Sequence, residues 1–148
     1  MDDRFQLQRF VDAQQPVYAA VLSELRSGRK RSHWMWFIFP QVSGLGHSAT
    51  SRTFAVSSLA EAVAYLAHPT LGPRLRECAG LVASVDGRSI AEILGHPDDL
   101  KFHSSMTLFA RAAPGEPIFA ACLQKYFGGQ PDPQTLALLS RIVENGAD

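Results

Sequence analysis

The chain has 148 residues, 46% of them apolar and 19% charged, with fourteen cations against fourteen carboxylates. That length supports one domain with a genuine core, and the apolar content excludes a disordered chain. A formal net charge of zero argues against general affinity for nucleic acid or for an anionic membrane surface.

The start, Met1-Asp2-Asp3-Arg4, lacks the basic residues and apolar run of a leader peptide. Cys78 and Cys122 each stand inside an apolar pattern and read as buried thiols of a reducing compartment, so a cytoplasmic protein is expected. Leu7, Phe10 and Val11, then Val17, Tyr18, Val21, Leu22 and Leu25, recur at helical spacing, with Pro16 dividing them. Proline belongs in the first turn of a helix and not in its interior, which predicts a break near Gln14-Gln15 and a second helix ending at Gly28.

The densest stretch follows, Arg29-Lys30-Arg31-Ser32-His33-Trp34-Met35-Trp36-Phe37-Ile38-Phe39-Pro40-Gln41. Seven bulky residues from His33 to Phe39 fit neither a one-faced helix nor an alternating strand, so the run is expected to be covered all round. It is far short of the roughly 20 apolar residues that span a bilayer, and a short central helix in a core is predicted. The three cations beside it have two readings. They offset the dipole at the preceding helix end, or they hold an anion or an acidic partner.

From Gln41 to Arg52 runs a loop with Gly44, Gly46 and four hydroxyl residues, feeding a helix that starts near Ser48, a plausible anion site. It lacks the third glycine of a dinucleotide fingerprint and the lysine of a P-loop. Phe54-Ala55-Val56 is the one short strand candidate. Ser58 to Glu61 and Ser89 to Glu92 have capping-box spacing. Between them Leu71 to Val85 forms a helix on which Arg74 and Glu77 share a face.

Pro97-Asp98-Asp99 opens a helix with carboxylates where the dipole favours them. One side of this helix carries Lys101, His103, Ser104, Ser105 and Thr107, more hydroxyl groups than a helix interior favours, and is expected to line something polar. A turn at Ala113 to Pro117, a helix halted by Gly128-Gly129, and Asp132-Pro133 as the start of a last helix complete the plan. The class is all-α: a single multihelical domain of about seven to nine short helices around a short buried central helix.

The central run, with Gly44-Leu45-Gly46, Leu71-Gly72-Pro73-Arg74-Leu75, Asp98-Asp99-Leu100-Lys101, Ser104 to Phe109 and Phe127-Gly128-Gly129, resembles the bacterial domain-of-unknown-function family numbered 1810. The resemblance covers nearly the whole chain and implies a multihelical fold with a short buried central helix, but no activity. Some members carry the label calpastatin, yet inhibitors of that name are extended and disordered, unlike this capped, periodic sequence. A remoter likeness, of fold alone, is to small helical N-glycosidases acting on ribosylated intermediates or ADP-ribose adducts.

The five histidines fall in different elements without metal-ligand spacing, and no Gly-x-Ser-x-Gly elbow exists, so neither a metal nor any other cofactor is expected. The sharper expectation is a polar pocket. His33 or Asp98 would act as acid or base. Lys30, Arg52, Arg74 and Lys101 would hold an anion, Trp34 and Trp36 would wall it, and Gln41, Ser48, Ser104 and Ser105 would complete the lining. The ligand expected is a small phosphorylated, nucleotide-like or ribosylated anion, and the protein a monomer or small homo-oligomer. The competing reading is a non-catalytic interaction module whose basic patch Arg29 to Arg31 meets an acidic partner.

Overall fold

The structure, a computed structural model, describes residues 3–144. Among them ten helices occur and no strand: α1 Gln8–Gln14, α2 Tyr18–Arg26, α3 Met35–Ile38, α4 Ala49–Thr53, α5 Leu59–Ala67, α6 Leu71–Ala83, α7 Ile90–Leu94, α8 Asp98–Ala112, α9 Pro117–Phe127 and α10 Pro133–Glu144. The all-α plan holds, with one helix more than the upper expectation. Helix α1 stops at Gln14 and α2 resumes past Pro16, where the proline pattern placed the break. The Phe54-Ala55-Val56 candidate reduces to a single parallel bridge between Val42 and Val56.

Helix α8 is the longest element and packs against α5, α7, α9 and α10. Two rows of aromatic rings meet along it. Phe10, Tyr65, Phe109 and Phe119 form one, with Phe10 and Tyr65 edge to face at 5.1 Å. Trp34, Phe39, Phe102 and Phe127 form the other, with Phe39 and Phe102 edge to face at 4.9 Å. Such pairs add roughly 0.5–1.5 kcal/mol each beyond the area they bury. The two cysteines lie in this core as free thiols, and burial pushes each up to about 12, so both are protonated at neutral pH.

The one-turn helix α3 is largely buried but not covered on every side. Trp34, Met35, Ile38 and Phe39 are buried, while Trp36 and Phe37 are half-buried and His33 is exposed. A single turn points its side chains in opposite directions, and here the outward pair faces the loop that follows: Phe37 packs on Phe54 at 5.3 Å. Gln14 fastens α3 from the inside, donating to the Phe37 carbonyl at 2.7 Å and to the Tyr65 hydroxyl at 3.0 Å.

Candidate functional site

The site begins at the end of α2. The Gly28 and Arg29 N–H groups bond the carbonyls of Leu25 and Glu24, closing the helix, and the Lys30 N–H then donates to the Ile93 carbonyl at 2.7 Å. Glu24 secures the next residues. Its Oε1 accepts from the Arg31 N–H at 2.7 Å, the Ser32 N–H at 3.0 Å and the buried Trp34 indole at 3.0 Å, and its Oε2 accepts from the Ser32 hydroxyl at 2.6 Å. Burial alone would raise this carboxyl. The Ser32 hydroxyl, the Arg31 N–H and the Trp34 indole outweigh it and lower the pKa to about 2.

With the loop held, Lys30 reaches α8. Its Nζ lies 2.9 Å from Asp98 Oδ2 and 5.3 Å from the Trp34 ring centroid. One turn along α8, Lys101 Nζ lies 3.4 Å from Asp98 Oδ1 and 4.8 Å from the Trp36 centroid. Each lysine therefore bridges the same carboxylate and one of the two tryptophans. Lys30 is nearly enclosed at 9% side-chain exposure, against 25% for Lys101. The outer half, Lys101 with Trp36, is the accessible one.

Trp36 is also a wall of a cavity of about 30 Å³ formed with Gln41, Ser43, Gly44, Gly46, Ser51 and Arg52. The loop is shaped locally. Ser48 caps α4 by accepting from the Ser51 N–H at 3.1 Å, and Arg52 Nη2 donates to the His47 carbonyl at 2.5 Å. Gly46 admits no side chain, because a Cβ there would stand 2.4 Å from that of Ser51. Space for one or two water-sized groups suits an anionic oxygen and not a ring.

Lys30, Trp34, Trp36, Asp98 and Lys101 thus come together, with Gln41 and Arg52 joined to them through Trp36, which shares their cavity, and with Ser48 supporting the loop. His33 stands exposed beside this group, with no hydrogen-bond partner among the described residues. The remaining expected residues lie elsewhere. Arg74 donates to the side-chain oxygens of Gln14 and Gln15 and covers Tyr18 at 4.6 Å, and Glu77 accepts from Tyr18 instead of pairing with Arg74. Ser104 bonds Thr135 at 2.8 Å under α10, and Thr107 accepts from the Asp132 N–H at 2.9 Å, so the hydroxyl side of α8 seats a helix. Ser105 is fully buried, its hydroxyl without a partner among the described residues. Glu24 is the residue that the sequence reading missed.

Fold and geometry together define an all-helical domain with a cation–carboxylate–tryptophan cluster at the edge of its core. The chain belongs to the family described as protein of unknown function DUF1810, whose model matches residues 4–139. It is similar to a conserved hypothetical protein, Rv1873 of Mycobacterium tuberculosis, whose crystal structure shares 61% identity and a TM-score of 0.92 over 93% of this chain and 99% of that one. No curated protein matches the sequence. No helix among the described residues is long and apolar enough to cross a membrane.

Proposed function

We propose that the protein binds a small phosphorylated, nucleotide-like ligand on the outer face of Trp36. The observation that carries this reading is the placement of Lys101 over Trp36 and against Asp98, beside a polar cavity that Trp36 also lines. A flat ring can stack on the indole, a phosphate can meet the Lys101 ammonium and the Arg52 guanidinium, and ribose hydroxyls can donate to Asp98. The enclosed part is too small for a whole nucleotide. The ligand lies along the rim, with one anionic oxygen directed into the loop cavity. Any reaction on a ribosyl bond at this place would use Asp98, the carboxylate nearest to such a ligand, as its base.

The test is a thermal-shift series with ADP-ribose, ADP, AMP and ribose 5-phosphate. A compound present at 100 times its dissociation constant stabilises by about 2.7 kcal/mol, about 5–10 °C for a domain of this size. Lys101→Ala and Trp36→Ala should abolish the shift, and the emission of Trp36 should be quenched on binding. Absence of any shift across the series, or a shift that survives both substitutions, would overturn the reading.

A further inference from the structure

The basic run Arg29-Lys30-Arg31 divides in the fold. Lys30 turns inward to Asp98, and the two arginines stay outside. Arg26, from the last turn of α2, and Arg88, from just before α7, join Arg29. Arg88 Nη1 donates to the Gly28 carbonyl at 2.9 Å, which brings the segment before α7 against the end of α2. Arg29 and Arg88 line a groove of about 480 Å³, and Arg26 and Arg88 line a second of about 370 Å³, so Arg88 is the wall between them.

All four arginines are exposed, and among the described residues none has an ion-pair partner. The carboxylates nearby are engaged elsewhere. Glu24 holds the loop before α3, Asp86 pairs with Lys125 at 3.0 Å, and Glu92 accepts from the Ser89 N–H at 2.8 Å in the cap of α7. The dipole of α2 accounts for Arg26 and for Arg88, whose guanidinium donates to the Gly28 carbonyl at the end of that helix, yet no carboxylate pairs with either. Arg26, Arg29 and Arg88 therefore meet at the two grooves with no carboxylate paired to them, and Asp86 and Glu92 are the acidic groups on the walls.

We infer that this double groove docks an acidic peptide segment of another protein. Its carboxylates pair with the arginine forks, and an aliphatic side chain lies against Leu81 and Val85, the half-buried apolar residues of the second groove. A nucleic acid fits this surface less well. No aromatic side chain lines either groove to stack a base, and Asp86 and Glu92 stand on the walls. A peptide can set neutral residues opposite those two carboxylates, whereas a phosphate backbone repeats its charge at fixed intervals. The inference is independent of the Trp36 ligand.

Fluorescence anisotropy decides it, with a labelled peptide of glutamates interspersed with leucines, the same peptide with glycine replacing leucine, and a duplex oligonucleotide. The glutamate–leucine peptide should bind best and weaken as salt rises. Arg26→Glu with Arg88→Glu should weaken it about tenfold or more while leaving the thermal-shift response at Trp36 unchanged. Exposed Arg29→Ala should weaken it less and serves as a check should the double variant fail to fold. No peptide binding near physiological ionic strength, equal binding by the substituted proteins, or tighter binding of the duplex would each overturn the inference.

Discussion

Glu24 shows how one side chain organises a loop. It gathers the Arg31 and Ser32 N–H groups, the Ser32 hydroxyl and the Trp34 indole, and these donors favour its charged form. A carboxyl held below its unfolded value lends stability above the unfolded pKa and loses it as acid protonates the folded state. Here that contribution is complete above the ordinary value of 4.5 and disappears as pH falls towards about 2. Glu24→Gln should cost about 2 kcal/mol at pH 7 and flatten that part of the acid-denaturation curve, as urea titrations across the pH range would show. Lys30→Ala should cost about 2–3 kcal/mol by leaving Asp98 short of its closer cation, while exposed His33→Ala leaves the melting temperature nearly unchanged. The Glu24 clasp was invisible in the sequence because it joins residues up to ten positions apart through a turn that only Gly28 hints at.

Among elements, local rules were legible and tertiary matings were not. Ser89 and Glu92 form the complete reciprocal cap that their spacing predicted. Ser58 does accept from the Glu61 N–H, but the Glu61 carboxylate takes the Ser57 N–H and the Arg9 guanidinium instead of closing the box. The neighbouring Ser57 takes one carboxylate oxygen and the distant Arg9 the other. The hydroxyl stripe on α8 was likewise visible, and its use was not: Ser104 and Thr107 meet α10 and the chain that enters it, a mating between segments some 30 residues apart. Two substitutions separate these kinds of constraint. Ser89→Ala should cost about 1 kcal/mol by removing a cap. Gly72→Ala should cost about 3 kcal/mol or more, because a Cβ there would lie 2.1 Å from the backbone carbonyl of Leu66, which cannot step aside. Thermal denaturation of the two variants would rank them.

For the molecule as a whole, the expected centre and the observed one differ. The tryptophan run suggested a hub wrapped on all sides, whereas the thickest part of the core gathers on α8, with α3 lying at its edge and opening one indole outward. The proposed binding at Trp36 needs that arrangement, since a residue sealed in the core meets no ligand. Helix α10 is held chiefly through α8 and buries Thr135 and Leu139 as its most enclosed described side chains. Few buried contacts mean a low local opening energy. Native-state hydrogen exchange should therefore release the amides of α10 well before those of α8, and Thr135→Val should widen the difference by removing the bond to Ser104.

The bridge between Val42 and Val56 has a consequence for descent. Ser43 N–H donates to the Val56 carbonyl and Val56 N–H to the Gln41 carbonyl, each at 2.8 Å, so the two ends of the loop are riveted to each other in a seam, while Arg9 holds the Thr53 and Ala55 carbonyls and Phe54 packs on Phe10 and Phe37. Between the rivets, the tip at His47 and Ser48 stands in solvent. Lengthening or recolouring that tip leaves the seam intact, so the loop has room to vary in length and charge while the helices beneath stay as they are.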